Sequence, residues 1–437
     1  MKHSEKAVSA TPKTAWFDLV KLSHLPRRLA RSRTALTLLF AFSIFAVFAI
    51  WTRLNFPPQY DEIAHQAFAQ QIAKHPGWST LIDYEGARDY EAQGPLFFAL
   101  LAAYGNWLGF ALPILRTLTI VFALSLTVSF AKLAEQLDHG ASAISLICLP
   151  YFVILSTTAM TDVPCLALTV FAVYAFLAYT DSKSSFHLVV GVLASTAASY
   201  IRVDSLYVLI AIGAAFAVRN GLTRQLAIAL IVPFLLRAPL LFLWGGLAAP
   251  TAHGRPNPVA LGFDPSHVVF SLSVIGLYFW PFGLALCGDR RRSRFGVAMA
   301  VLIAVVLCVF WTPKLSAENT DNYAGTIRTV LLRVNETGIR GTIWMLLVAT
   351  GAAVCFRLFT CGPQHNLKVL AVKLICLLGL IMQALRGHVM YERYLLEVSA
   401  FFLLLFITSA RGKELWLWCG WVGLLQMAQF FRNNVLP

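Results

Sequence analysis

Charged side chains are scarce in this chain of 437 residues: Asp, Glu, Lys and Arg make up 13% of it, against 58% hydrophobic residues. Soluble globular domains carry about 25% charged residues, so this shortage excludes an ordinary soluble protein. The sequence also has neither a GxxxxGK[ST] loop nor a GxGxxG run that follows a strand. Transport driven by nucleotide hydrolysis therefore has no support in the sequence.

Metal-binding and disulfide patterns are missing as well. The 8 cysteines form no CxxC pair, and nearly all of them lie in apolar runs, where a thiol behaves as a small hydrophobic group. His65, His253, His267 and His388 show no helical ligand spacing. We therefore expect no disulfide framework, no metal and no cofactor.

Long apolar runs are what the sequence has instead, and its mean hydropathy is +0.69. Runs of about 17–22 residues, long enough to cross a bilayer, recur from Thr34 almost to the C-terminus. They predict an all-α polytopic membrane protein with about 11–14 transmembrane helices. The predicted spans are 35–51, 114–134, 143–158, 163–180, 187–201, 206–218, 225–247, 267–286, 296–312, 342–358, 367–385, 394–409 and 414–430.

The net charge of +14 raises the question of a nucleic-acid partner. Lys and Arg are concentrated in the N-terminal tail 1–33 and in alternate loops, as expected for cytoplasmic segments of a membrane protein. No nucleic-acid partner is needed to explain them. The alternation is consistent only if Gly94–Leu112 does not cross, so we predict that it lies in the interface or re-enters the membrane.

An acidic loop of about forty residues follows the first span, on the side that the charges make non-cytoplasmic. Asp61 and Glu62 begin it, just after Pro57 and Pro58. The segment Ala64–Lys74 (AHQAFAQQIAK) predicts a short amphipathic helix along the membrane surface. A carboxylate at the start of such a helix is either a helix cap or a functional group, and Asp61 alone leaves both open.

Polar residues at other predicted span ends face the same side. Asp162 lies in Thr161-Asp162-Val163, Arg202 and Asp204 in Tyr200-Ile-Arg-Val-Asp204, and His388 and Arg393 in Arg386-Gly-His-Val-Met-Tyr-Glu-Arg-Tyr394. Arg237 lies about 10 Å inside Trp244 along a predicted span, where an arginine either snorkels or meets an anionic partner. The sequence thus predicts a polar cavity assembled from distant segments.

Carboxylates at the rim and cations deeper in suit transfer of a sugar from a lipid-linked phosphate. A carboxylate takes the proton of an acceptor hydroxyl, and cations stabilise the departing phosphate. A single displacement with inversion needs one base and no carboxylate nucleophile.

The sequence resembles the GT-C superfamily of polyprenyl-phosphate-sugar glycosyltransferases, which carry an acidic residue in the first outer loop. Within it, the chain is most similar to the dolichyl-phosphate-glucose α-1,2-glucosyltransferases. Asp61-Glu-Ile-Ala-His65 resembles their DExxH motif, and Gln93-Gly-Pro-Leu-Phe97 their Pro-Gly-Leu-Tyr segment. Leu115-Arg116 and Thr161-Asp162-Val163 are similar to short family signatures further on.

The resemblance implies roles for these residues. Asp61 is expected to be the general base, and Glu62 to assist catalysis by orienting the acceptor or the helix. His65 and Asp162 are expected in the acceptor pocket, although Asp162 also suits a helix cap. The expected donor-phosphate ligands, which are chosen by depth and charge, are Arg202, Arg237, His388 and Arg393.

The predicted function is transfer of a hexose, specifically glucose, from a polyprenyl phosphate to a hydroxyl of a glycan or lipid-linked acceptor. We expect a cytoplasmic tail at 1–33, a catalytic module at 34–220 that includes the outer loop 52–113, and a variable module at 221–437. The protein would lie in a bacterial cytoplasmic membrane or the endoplasmic reticulum membrane, among membrane lipids, with its site on the non-cytoplasmic side. The alternative is a multi-spanning transporter or flippase for a lipid-linked or anionic substrate, with Asp61, Asp162 and Arg237 as coupling charges.

Overall fold

Helices dominate the computed structural model of the chain. It describes residues 57–58, 61–77, 80, 94–137, 145–219, 221–246, 264–283, 290–311, 323–324, 337–360, 366–385, 390–408 and 412–434. Its α-helices, numbered in chain order within these ranges, are α1 Glu62–Lys74, α2 Pro95–Leu108, α3 Leu112–Gln136, α4 Phe152–Ser156, α5 Asp162–Ser182, α6 Ser185–Ile201, α7 Tyr207–Val218, α8 Arg224–Trp244, α9 Pro265–Gly283, α10 Arg290–Trp311, α11 Thr337–Thr360, α12 Leu367–Ala384, α13 Leu396–Ile407 and α14 Gly412–Asn434.

Extended structure is limited to short pieces in these ranges. Tyr323–Ala324 (β1) pairs in parallel with Met390–Tyr391 (β2). Two short 3-10 helices, Val203–Leu206 and Glu392–Leu395, introduce α7 and α13. The protein is therefore all-α, as its sequence predicts.

Several helices are long and apolar enough to cross a membrane. Among the described residues, 5 helices meet that criterion: Leu112–Gln136, Asp162–Ser182, Arg224–Trp244, Gly341–Thr360 and Leu367–Ala384. Other apolar helices are shorter, including Ser185–Ile201 and Val203–Val218. The chain is a polytopic integral membrane protein, and its total number of spans stays a prediction.

The two helices that precede the first long span in the described chain are short. The predicted helix Ala64–Lys74 is present as α1, which buries Phe68, Ala69 and Ile72. It packs on α2, whose 14 residues extend about 21 Å, less than the hydrocarbon core of about 30 Å. This length agrees with the prediction that Gly94–Leu112 does not cross, and the membrane position of α2 stays a prediction.

One predicted span is wrong. The segment 143–158 is not a continuous helix: a 3-10 turn at 145–148 is followed by α4, which has only 5 residues. Pro150 has no N–H to continue the helical pattern, and Tyr151 adopts a left-handed conformation with φ 65. Apolar composition marks burial, and it does not mark where the backbone turns.

The main core draws on both predicted modules, 34–220 and 221–437. A Cβ at Gly379 of α12 would lie 3.2 Å from the hydroxyl of Tyr207 in α7, so these helices meet closely. In α13 every residue except Glu397 is buried. The shared core does not test the predicted boundary between the two modules, so that boundary stays a prediction.

A second, smaller apolar cluster supports the start of α1. It includes Phe68, Phe97, Phe98, Leu115 and Trp244. These residues come from α1, α2, α3 and α8, so four helices converge beside Asp61 and fix the orientation of the segment that carries it.

Candidate functional site

Asp61 immediately precedes α1 and is partly open. Its side chain is 23% exposed, and its Oδ2 accepts a hydrogen bond from Nη2 of Arg393 at 3.1 Å. The side chain makes no capping hydrogen bond to α1, although the Asp61 carbonyl oxygen accepts from His65 N at 2.9 Å. The carboxylate is therefore paired with a residue 332 positions away rather than with its own helix.

Glu62 has the opposite environment. It is 0% exposed, and its two oxygens accept from Nε of Arg116 at 2.8 Å and from Nη2 at 2.5 Å. Oε1 also accepts from the backbone N–H of Ala159 at 2.7 Å. Arg116 reaches one step further, because Nη2 donates to the carbonyl of Pro57 at 3.2 Å. Glu62 thus joins α1, α3 and the segment before Asp162.

His65 lies on the same face of α1 as Glu62 and is also 0% exposed. Its Nδ1 is 2.7 Å from the carbonyl oxygen of Ala159. The ring centroids of Phe98 and Phe97 lie 5.1 Å and 6.3 Å from that of the imidazole. Burial lowers the pKa of His65 below its ordinary value, although the Ala159 carbonyl opposes the shift.

Asp162, Arg202 and Asp204 form the next group. Nη1 of Arg202 donates to Oδ1 of Asp162 at 3.3 Å. Nε and Nη2 of the same guanidinium donate to the two oxygens of Asp204 at 3.3 Å and 3.0 Å. Asp162 lies in the first turn of α5, where a negative charge is favoured by the helix dipole, but Thr161 and not Asp162 is the N-cap.

Tyr394 links the two groups. The Cζ atom of Arg202 lies 5.3 Å from the centroid of its ring, and that of Arg393 lies 5.4 Å from it. Cations interact favourably with aromatic rings at this distance. The ring therefore connects the Asp61–Arg393 pair to the Asp162–Arg202–Asp204 group, and we call this whole set the acidic–arginine cluster.

Arg237 lies in a separate environment. It is 0% exposed, and its Cζ atom is 5.0 Å from the Tyr200 ring and 5.1 Å from the Trp244 ring. A Cβ at Gly94 would lie 1.9 Å from the carbonyl oxygen of Tyr200 and 3.1 Å from Nη1 of Arg237, so glycine allows the Tyr200 backbone to lie against the start of α2 beside Arg237. These contacts account for a deeply buried guanidinium, while its predicted role as a phosphate ligand stays untested.

The structure brings together Asp61, Asp162, Arg202 and Arg393 from segments that are distant in the sequence, and their roles stay predictions. His253 and His388 lie outside the described residues, as do the other residues of 386–389, which begin the Arg386–Tyr394 motif. Among the described residues, no group of three or more His, Cys, Asp or Glu is arranged to hold a metal ion.

Arg116 is the residue whose structural importance the sequence understated. In the sequence, Arg116 stands out only as part of the short Leu115-Arg116 signature, yet in the structure it forms the ion pair that holds Glu62. A charged residue in the first turn of an apolar span was the available signal, because charges at such positions usually have partners. Its partner Glu62 lies more than fifty residues away, and no local sequence pattern identifies that partner.

Comparison with known proteins shows a distant likeness to solved structures. No protein-family model matches the chain, and no curated protein matches it. The crystal structure of ArnT from Cupriavidus metallidurans in the apo state resembles it with a TM-score of 0.45 and 14% sequence identity, over 91% of this chain and 77% of that one. A likeness of this size establishes no activity for the present chain.

Proposed function

We propose that this protein is a membrane glycosyltransferase that uses a polyprenyl-phosphate sugar as donor. Asp61 takes the proton of an acceptor hydroxyl as that oxygen forms a bond to the anomeric carbon. The bond between the anomeric carbon and the phosphate oxygen breaks, and the polyprenyl phosphate leaves. The donor sugar is a hexose, with glucose as our specific assignment, and the product is inverted at the anomeric carbon.

The observation that carries the proposal is the state of the Asp61 carboxylate. It is partly exposed, and Arg393 holds it through Oδ2. Within the described ranges no hydrogen-bond donor reaches Oδ1, so this atom is available to a substrate hydroxyl. A general base must come within hydrogen-bond distance of the proton that it accepts, and Oδ1 meets the requirement for access.

Arg393 and Arg202 are the cations that we assign to the departing phosphate. Both guanidinium groups lie beside acids of the acidic–arginine cluster. A guanidinium has five N–H donors, and Arg202 uses three of them on Asp162 and Asp204, so two remain for a phosphate oxygen. Charge-assisted hydrogen bonds of this kind stabilise the negative charge that develops as the bond to phosphate breaks.

The test is a transfer assay on purified protein with a panel of synthetic polyprenyl-phosphate sugars, followed by mass spectrometry of the product. We expect transfer from one donor class by the wild type, and a loss of about 100-fold or more in Asp61→Asn. Asp181→Asn is the matched control, because Asp181 is an exposed carboxylate that pairs with Lys368.

Two outcomes would contradict the proposal. Full activity in Asp61→Asn would place the base elsewhere. Flux of a lipid-linked or anionic solute in proteoliposomes, without any transfer product, would favour the transporter alternative.

A further inference from the structure

The backbone N–H and the backbone carbonyl of one residue, Ala159, are both contacted by a single turn of α1. The N–H of Ala159 donates to Oε1 of Glu62 at 2.7 Å, and the carbonyl oxygen of Ala159 lies 2.7 Å from Nδ1 of His65. Glu62 and His65 are one helical turn apart, so both side chains reach the same neighbour. Neither is exposed to solvent.

We propose that Glu62 and His65 are positioning residues, which hold the backbone of Ala159 through its N–H and its carbonyl and thereby fix Asp61 relative to Asp162. This proposal rests on the proposed function, because Asp61 and Asp162 are its candidate site acids. Asp61 directly precedes Glu62, and Asp162 is three residues after Ala159. Asp61 and Asp162, which are far apart in the sequence, are therefore linked through the buried contacts of Glu62 and His65 with Ala159.

The connection is stiff at both ends. On one side, Arg116 holds both oxygens of Glu62 and the carbonyl of Pro57, so the Glu62 side chain cannot swing toward a substrate without breaking a buried ion pair. On the other side, the N–H of Met160 donates to the carbonyl oxygen of Thr158 at 2.8 Å. The N–H of Cys165 donates to the carbonyl oxygen of Thr161 at 3.0 Å. The turn that carries Asp162 therefore moves with Ala159.

The Ala159 contact specifies the protonation of His65. A carbonyl oxygen only accepts hydrogen bonds, so Nδ1 carries the hydrogen. The ring is buried beside Phe97 and Phe98, which disfavours a charged imidazolium. Among the described residues, the charged groups that act on it include Asp61 and Asp162, which favour the cation, and Arg393, which opposes it. The geometry therefore specifies a neutral imidazole with its hydrogen on Nδ1.

This assignment divides the Asp-Glu-x-x-His motif into two roles. Asp61 is the partly exposed member, and it would contact substrate. Glu62 and His65 are enclosed behind it, and they would act on the reaction only through the position of the backbone. The spacing of the motif suits this arrangement, since residues i and i+3 of a helix lie on one face and can both reach the backbone of one neighbouring residue.

The first test does not depend on any activity. Nitrogen-15 NMR of purified protein with labelled histidine reports which ring nitrogen carries hydrogen, and the spectrum of His65→Phe assigns the His65 signal. We expect the neutral Nδ1–H form at about pH 7. A neutral Nε2–H form, or a doubly protonated ring, would overturn the proposal even if no donor sugar is ever found.

The second test separates a positioning role from a purely structural one. Phe fits the aromatic surroundings of His65 but cannot donate, so His65→Phe should fold while its kcat falls by about 100-fold, the loss expected from a misplacement of about 1 Å. The KM for the donor should stay unchanged. Because the side-chain N–H of Asn occupies a position similar to Nδ1–H, His65→Asn should recover at least about tenfold of the lost kcat. His75→Phe, at the exposed C-terminal end of α1, is the matched control.

Each result has a clear meaning. Wild-type kcat in folded His65→Phe, or no recovery in His65→Asn, would overturn the positioning role while the Asp61→Asn result still supports the proposed function. Conversely, absence of transfer by the wild type would contradict the proposed function, and the NMR measurement would then test the contact between His65 and Ala159 by itself.

Discussion

At the scale of single residues, the ion pair between Glu62 and Arg116 is the strongest constraint near the site. Both side chains are almost fully enclosed, at 0% and 3% exposed. Removal of one partner from a buried pair leaves an uncompensated charge, whereas replacement of both by apolar groups is often tolerated. The pair therefore has a measurable signature in stability.

We predict that Arg116→Leu lowers the free energy of unfolding by about 3–5 kcal/mol. The double variant Glu62→Leu/Arg116→Leu should recover most of this loss, because no buried charge then lacks a partner. Thermal unfolding in detergent measures both variants, and Lys132→Leu, which breaks the exposed Lys132–Glu135 pair, is the control. Equal effects in the Arg116 and Lys132 variants would contradict the prediction.

His65 gives the protein a pH-dependent stability. In the unfolded chain its imidazole takes a proton below about pH 6.5, but burial lowers its pKa in the folded protein. The unfolded state then binds more protons than the folded state, so stability falls as the pH drops below about 6.5, by at most about 1.4 kcal/mol per pH unit. His65→Phe removes this contribution. Its apparent melting temperature should therefore fall less than that of the wild type between about pH 6.5 and 5, and parallel curves would contradict the prediction.

At the scale of helices, α9 and α11 approach with their backbones nearly in contact. A Cβ at Gly351 would lie 1.9 Å from the carbonyl oxygen of Leu272, and one at Gly276 would lie 2.0 Å from that of Leu347. Small residues allow this kind of close packing between membrane helices, where apolar burial alone does not drive association.

Gly351→Ala should therefore separate the two helices and lower the unfolding free energy by about 1–3 kcal/mol. Gly341→Ala on the same helix is the matched control, because no atom lies within 4 Å of its added Cβ. That control should be neutral or more stable, since alanine favours a helix by about 0.5–1 kcal/mol over glycine. The prediction is wrong if the two melting temperatures shift alike.

At the scale of the whole molecule, the site combines the two halves of the sequence. Asp61 comes from the first half and its partner Arg393 from the second. The core is shared in the same way, through the contact of Gly379 with Tyr207 and through the enclosed α13. In the described part of the chain, each half therefore supplies part of the shared core and part of the acidic–arginine cluster.

We accordingly predict that a fragment of residues 1–220 does not fold alone. It should be degraded rapidly by protease in detergent, while the same fragment co-expressed with residues 221–437 should become resistant and co-purify with it. Equal protease resistance of the lone fragment would contradict the prediction, because it would show that residues 1–220 fold independently.

Local patterns predicted much of the fold. The amphipathic pattern of AHQAFAQQIAK predicted α1. The long apolar runs located α3, α5, α8 and α12 to within a few residues. The prediction for 143–158 was wrong, because Pro150 and Tyr151 interrupt the helix inside an apolar run. Hydrophobicity reports burial, while the break depends on backbone geometry at two residues.

The candidate site was predictable only as a set of residue types. The sequence by itself determined an all-α membrane protein, and it marked Asp61, Asp162, Arg202 and Arg393 as polar groups at the ends of apolar segments. Tertiary structure alone decided that Arg393 meets Asp61, that Arg116 holds Glu62 and that His65 reaches Ala159. The physical reason is range: helix formation and membrane insertion depend on neighbours along the chain, whereas a buried charge takes the partner that helix packing brings to it.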